Sequence, residues 1–347
     1  LHPRLSYACS LAFEYVSKLN YCITTLQNPC HNAQVVVYYT PEAPSVTGPF
    51  LWIKAHGLLH NSAIEAVAPH VQLIGRAQPP QVFAHAAADL LGYDVLAAIF
   101  FMASRYEEYL PYAPDAYGRF GEAGSLSGKY GFTHLPVVHW WVKALLVKLF
   151  PDRDPASYMP HRPSVLFTYD IDVAYAFRGR PLMLQIAGLC KDVVQGRCRH
   201  VWLRLSSLGG NRFDPSDTYK YICSHSFPRK FFILAAGQKT AFDRNLPPHI
   251  PAWQQLVKQL SVSEVIGMHP SYYSNEKPGH FSSEKALLEK IIGKPITFSR
   301  QHYLKLQLPN TYRHLIEAGI THDFSMQYPE KPGFRAGMAV PYPFFDV

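Results

Sequence analysis

Apolar and polar positions change rhythm near the middle of the chain. Up to about residue 155 they predict short, mixed elements: a helical run from Leu5 to Val16, strand-like segments at Tyr21–Thr25 and Gln34–Tyr39, and a second helix from His139 to Phe150. The clearest helix of this half starts at Asp94, a residue suited to capping free N–H groups, and runs through Val95, Leu96, Ile99, Phe100 and Met102 to the charged end Arg105–Glu108. Pro111 then prevents its continuation. Its aromatic stripe of Phe100, Phe101 and Tyr106 reads as packing.

Past residue 156 short apolar strands alternate with helices. Strands are predicted at Val165–Tyr169, Lys230–Ala235, Val265–Met268, Ile296–Phe298 and Ile320–Phe324. Helices are predicted near Pro181–Val194, Ser216–His225, Pro251–Leu260, Ser283–Ile292 and Pro309–Ala318. Such alternation implies parallel strands and βα units. Between the halves, Phe150–Pro160 followed by Pro163 is proline-rich and polar, as linkers are. The expectation is an N-terminal α+β domain over 1–155 and an α/β domain over 156–347.

Composition narrows the class. With 48% hydrophobic and 17% charged residues in 347, the chain is globular rather than disordered. A net charge of +8 favours anionic partners in general. The one local basic cluster, Lys191, Arg197, Arg199 and Arg204, is broken by apolar residues and reads as a solvated face, so no nucleic-acid partner is expected. The six cysteines show no C-x-x-C spacing and read as reduced thiols rather than a zinc knuckle. The longest strongly apolar stretch, Val95–Ala103, is far short of the about 18 residues a membrane span needs. The chain starts on Leu1 rather than Met and stops at Asp346-Val347, which reads as a piece of a longer polypeptide. A cytoplasmic location is the expectation.

Several predicted strands are followed at once by a polar residue: Asp170, His269, Arg300 and His322. In a βα barrel such positions converge at the C-terminal ends of the strands. Asp170 and Asp172 stand two apart at a strand end and so share a face. Two carboxylates in one weakly polar site resist joint ionisation unless a cation is present, which suggests a metal ligand beside a general base. His269, directly after another strand, offers an imidazole to the same cation.

The stretches Thr168-Tyr-Asp-Ile-Asp172, Gly267-Met-His-Pro-Ser-Tyr-Tyr273 and Ser299-Arg-Gln-His-Tyr303 together resemble the motifs of the polysaccharide deacetylases with the NodB-homology domain, carbohydrate esterase family four. The likeness is greatest to a divergent bacterial branch with an added N-terminal α+β domain. Ala103–Tyr109, Asp214–Tyr219 and Gly333-Phe-Arg-Ala-Gly337 resemble that branch too. The resemblance implies a distorted (β/α) barrel and a metal-dependent hydrolase, most simply a zinc enzyme, removing acetyl groups from a polysaccharide or oligosaccharide. It implies Asp170 as catalytic base, Asp172 and His269 as metal ligands and Arg300 as the residue that orients the base. Aromatic side chains Tyr272, Tyr273 and Tyr303 are candidates to stack on sugar rings, with loop packing the alternative.

Three departures from the family pattern bear on the chemistry. The imidazole expected four residues after His269 is replaced by Tyr273, a poor ligand. The third ligand is open among His302, Ser274 and water, and His302 is also the one candidate for general acid. Pro270 has no N–H, so an oxyanion donor is expected from the Tyr272–Ser274 loop. Finally, no late strand carries the family's acidic histidine, from which an incomplete barrel with weak or no activity is expected. The alternative reading is a catalytically inactive glycan-binding protein on the same fold.

Overall fold

A computed structural model describes residues 2–25, 32–75, 78–159, 162–208, 214–277 and 279–347; Cys30 and the Pro160 end of the expected linker lie outside them. The chain forms two compact units, one of Leu1–Pro163, Gln307–Pro309 and Met326–Val347, the other of Ser164–Leu306 and Asn310–Ser325. This division differs from the expected one at 155/156. The first unit runs on to Pro163, and the last segment folds with it rather than with the α/β unit.

In the first unit, α1 (Pro3–Ser10) continues into a π-helical turn at Leu11–Val16. Strands β1 (Val37–Thr40) and β2 (Leu51–Lys54) pair in parallel, β3 (Val71–Gln72) and β4 (Gln81–Val82) antiparallel. Helices α2 (Val95–Ala103), α3 (Leu126–Lys129) and α4 (Val137–Leu149) complete it. Tyr21–Thr25 forms no strand and is at least partly exposed. Every residue of α2 is buried, as its all-round apolar surface requires.

Asp94 anchors that helix from a fully buried position. Its carboxylate accepts from the Ala97 N–H at 2.9 Å, the Tyr39 hydroxyl at 2.8 Å and the His56 N–H at 2.8 Å. Burial nonetheless pushes its pKa up to about 6. Asp94→Ala removes the cap and leaves two further, partly buried donors without their acceptor, so a loss of about 2–4 kcal/mol in urea-induced unfolding is expected. A loss below about 1 kcal/mol would mean that water replaces those bonds.

The return of the last segment has a physical cause. Arg105, in left-handed conformation after α2, and Arg335 are both buried and share the carboxylate of Glu108. Arg105 Nε reaches Oε1 at 2.7 Å, and Arg335 Nη2 reaches Oε2 at 2.5 Å. Arg105 also donates to the Arg335 carbonyl at 2.5 Å. The Ala103–Tyr109 and Gly333–Gly337 stretches are thus two halves of one structural ion cluster.

In the second unit, strands β5 (Phe167–Ile171), β6 (Arg229–Leu234), β7 (Val265–His269), β8 (Phe298–Ser299) and β9 (His322–Asp323) form a five-stranded parallel sheet in chain order. Helices α5 (Leu182–Val194), α6 (Cys198–Leu208), α7 (Tyr219–Cys223), α8 (Pro251–Ser263), α9 (His280–Ile292) and α10 (Asn310–Glu317) lie between them in sequence. Right-handed crossovers between successive neighbours place their helices on one face. On that face Ile171, Phe231, Ile233, Ile266 and Met268 pack in a core with Trp253, Leu256, Phe281, Leu288 and Leu315. Alternation then turns Thr168, Asp170, Phe232, Gly267 and His269 to the opposite face. Gly267 is required there: a Cβ would lie 2.6 Å from the Phe232 ring. Strand order following chain order is also the winding of a (β/α) barrel. Among the described residues the five-stranded sheet is open, with no closed barrel.

Candidate metal centre

Strand register assembles the site. Ile171, Ile233, Met268 and Ser299 stand in one row across β5 to β8. The next residues, Asp172, Leu234, His269 and Arg300, therefore cluster at the C-terminal ends of their strands. Neighbouring strands are about 4.8 Å apart, so side chains from β5 and β7 meet over β6. Asp172 Oδ1 lies 3.2 Å from His269 Nε2. His302 enters from the turn after β8, where Tyr303 and Leu304 adopt consecutive left-handed conformations. Its Nε2 lies 3.7 Å from Asp172 Oδ2. One ligand atom from each of Asp172, His269 and His302 falls within 4.8 Å of the others, a grouping able to hold a metal ion.

The outer ring nitrogens are committed. His269 Nδ1 donates to the Arg300 carbonyl at 2.5 Å, and His302 Nδ1 donates to Asp243 Oδ1 at 3.1 Å. In a neutral imidazole that leaves the Nε2 lone pair facing Asp172, the orientation metal-binding histidines adopt. Asp243 is itself buried and fixed by the Tyr272 N–H at 2.9 Å and the Thr240 hydroxyl at 2.9 Å. Sequence reasoning missed Asp243, because a lone aspartate in a loop carries no spacing signal. The Thr240-x-x-Asp243 turn, in which the threonine hydroxyl accepts the Asp243 N–H at 2.8 Å, marks it only as a local fold. Asp243→Asn is expected to weaken zinc binding about 10–100-fold in a competition titration with a chelating dye. Unchanged affinity would remove Asp243 from the support of His302.

Charge in the cluster is strongly biased. Burial opposes the ionised form of Asp172, but hydrogen bonds from His269 and His302 outweigh it and hold its carboxyl well below the usual range. Burial by itself would lower His302, whereas Asp172 and Asp243 on either side raise it to about 9. Without a cation, a protonated His302 lies between the two carboxylates, 3.1 Å from Asp243 and 3.7 Å from Asp172. Metal binding at such a site releases that proton.

Asp170 stands beside this group, on the same face of β5. Arg300 Nε lies 3.5 Å from its Oδ2, while the same guanidinium donates to the Thr168 hydroxyl at 2.8 Å. The remaining expectations are redistributed. Ser274 is buried with its hydroxyl donated to the Ser271 carbonyl at 2.6 Å, which leaves His302 as the third member. The N–H groups of Tyr272 and Ser274 donate to Asp243 and to the Ser271 carbonyl, so neither serves as the expected oxyanion donor. Tyr272 is buried and stacks on Phe242 at 3.9 Å, a packing role in place of a sugar platform. Tyr273 and Tyr303 are half-buried around it, with Lys305 Nζ 4.0 Å from the Tyr272 ring. His322 does not converge with the others: it pairs in register with Phe298, behind the strand ends, and is exposed.

The molecule is thus an open parallel α/β sheet with an Asp-His-His cluster at the strand ends, joined to an α+β unit. Residues 1–151 match a family described as being of unknown function, DUF7033. That match stops before β5, so the Asp-His-His cluster lies outside it. No curated protein and no solved structure matches the chain.

Proposed function

We propose that the second unit is a metal-dependent deacetylase acting on an N-acetylated or O-acetylated polysaccharide. The observation that carries this reading is the meeting of Asp172, His269 and His302 with both outer imidazole nitrogens already bonded. His302 takes the place left empty by Tyr273, which weakens the case for an inactive glycan-binding protein. The ligand set of two imidazoles and a carboxylate suits zinc, and a bound zinc ion lowers the pKa of a water molecule and polarises an acyl carbonyl.

The protein's own groups divide the remaining work. Asp170 accepts the proton of the attacking water on a carboxylate oxygen, and Arg300, 3.5 Å away, orients that carboxylate. In this reading His302, between Asp172 and Asp243, serves as a ligand rather than as the general acid, a choice supported by its place in the three-residue cluster. Asp170, once protonated, returns the proton to the departing nitrogen or oxygen, so one carboxyl serves both steps.

The test is acetate release from a panel of acetylated amino-sugar oligomers by protein loaded with zinc. Release that a chelator stops and added zinc restores is the expected result. Tight zinc binding with no release from any N- or O-acetylated oligomer would favour the glycan-binding alternative.

A further inference from the structure

The hairpin of α5 and α6 is built inside out. Its interior seam is polar: Arg204 donates to Gln185 Oε1 at 2.9 Å and to Asp192 Oδ2 at 3.0 Å, and Gln185 donates to the Phe177 carbonyl. Gly188 makes room for this seam, since a Cβ there would lie 2.6 Å from the Arg204 guanidinium. Gln185 and Asp192 are the buried residues of α5. The large apolar side chains face outward instead, with Leu182, Ile186 and Val193 exposed, Met183 78% exposed, Val194 86% and Trp202 62%. A helix normally turns such residues to the core, and a contiguous exposed apolar patch marks an interaction surface.

Charge identifies what that surface meets. Between residues 180 and 208 the only acidic side chain is Asp192, and it is paired inside with Arg204. Lys191, Arg197, Arg199 and His200 are all exposed at the α5–α6 turn, next to the apolar residues. Two copies of this hairpin placed face to face would bring basic groups together, which disfavours self-association. An apolar face with a basic edge and a tryptophan is the composition of helices that lie in the headgroup layer of an anionic bilayer. No described helix is long and apolar enough to cross a membrane, so contact is with one leaflet surface.

We propose that the α5–α6 hairpin docks the protein on an anionic lipid membrane, with α5 lying in the plane of the interface along about 20 Å of its length. The inference does not depend on the catalytic reading. It turns the broken basic cluster of the sequence into two separate parts: Arg204 belongs to the seam, while Lys191, Arg197 and Arg199 belong to the surface.

The experiment is co-sedimentation of the whole chain with vesicles of phosphatidylcholine alone and of equal parts phosphatidylcholine and phosphatidylglycerol. Binding to the anionic vesicles only is expected, reduced at about 1 M salt where the screening length is about 3 Å. Arg197→Glu with Arg199→Glu should weaken it by about 25-fold or more. Met183→Glu with Val194→Glu, at positions too exposed to disturb folding, should weaken it by about tenfold or more with an unchanged circular dichroism spectrum. The proposal is overturned by absent binding, by equal binding to neutral vesicles, or by binding that Met183→Glu with Val194→Glu leaves intact. A wild-type dimer that the same double substitution makes monomeric, without vesicle binding, would also overturn it and assign the face to a second copy.

Discussion

Replacing Asp170 by asparagine is expected to slow hydrolysis of an acetylated amino-sugar oligomer by about 10²–10⁴-fold while leaving the bound zinc in place. Asparagine keeps the size and hydrogen-bonding reach of the side chain but cannot take a proton from water. Asp170 is not one of the three clustered ligand donors, and its partner is the Arg300 guanidinium at 3.5 Å. Metal content and rate should therefore separate. Initial rates measured beside elemental analysis check this: full activity would take the base role away from Asp170, and joint loss of zinc and rate would make it a ligand.

The second large effect concerns the first unit. Glu108→Ala leaves the Arg105 and Arg335 guanidinium groups buried without their shared carboxylate, and removing one partner of such a cluster costs about 3–5 kcal/mol. Replacing Glu108 and both arginines together by apolar residues of similar size should cost less, because only Glu107, which Arg105 reaches at 2.7 Å, then lacks its cation. Burial would raise the Glu108 carboxyl, but Arg335 and Arg105 hold it below its ordinary value. For a carboxyl lowered in this way, the stabilisation is present above the unfolded-state pKa and is lost as pH falls through the folded one. Chemical unfolding at neutral pH and again below about pH 4 reads both effects, with a smaller penalty for Glu108→Ala expected in acid. An equal penalty at both pH values would show that packing rather than charge holds the cluster.

Much of this architecture was legible because the physics is local. Asp94 was recognisable as a cap, and the strands of the second unit were recognisable as apolar runs ended by polar residues. Asp170, Asp172 and His269 followed from two-residue alternation and strand-end position. What escaped depends on contacts between distant segments. Asp243 and His302 are 59 residues apart, and neither shows its partner in the sequence. The short β8 gave no register from which to aim His302, and its direction is decided by two left-handed residues that are not glycine. Helix α6 was missed because its apolar residues point to solvent and its buried contacts are polar. The return of Met326–Val347 to the first unit brings Arg335 to Glu108 and Phe345 against Tyr7 and Phe100, partners that the Gly333–Gly337 stretch does not announce in sequence. For Tyr272 sugar stacking and loop packing stay open in the sequence, because an aromatic loop looks the same in both, and its stacking on Phe242 is a contact between distant segments.

The central claim is that Asp172, His269 and His302 hold one cation. Titrating the metal-free protein with zinc, read by calorimetry and by elemental analysis after dialysis, tests it directly. One equivalent per chain is expected for the unsubstituted protein and for Asp170→Asn, with stoichiometric binding abolished in His269→Ala and in His302→Ala. No stoichiometric zinc in the unsubstituted protein, or a full equivalent retained by His302→Ala, would contradict it.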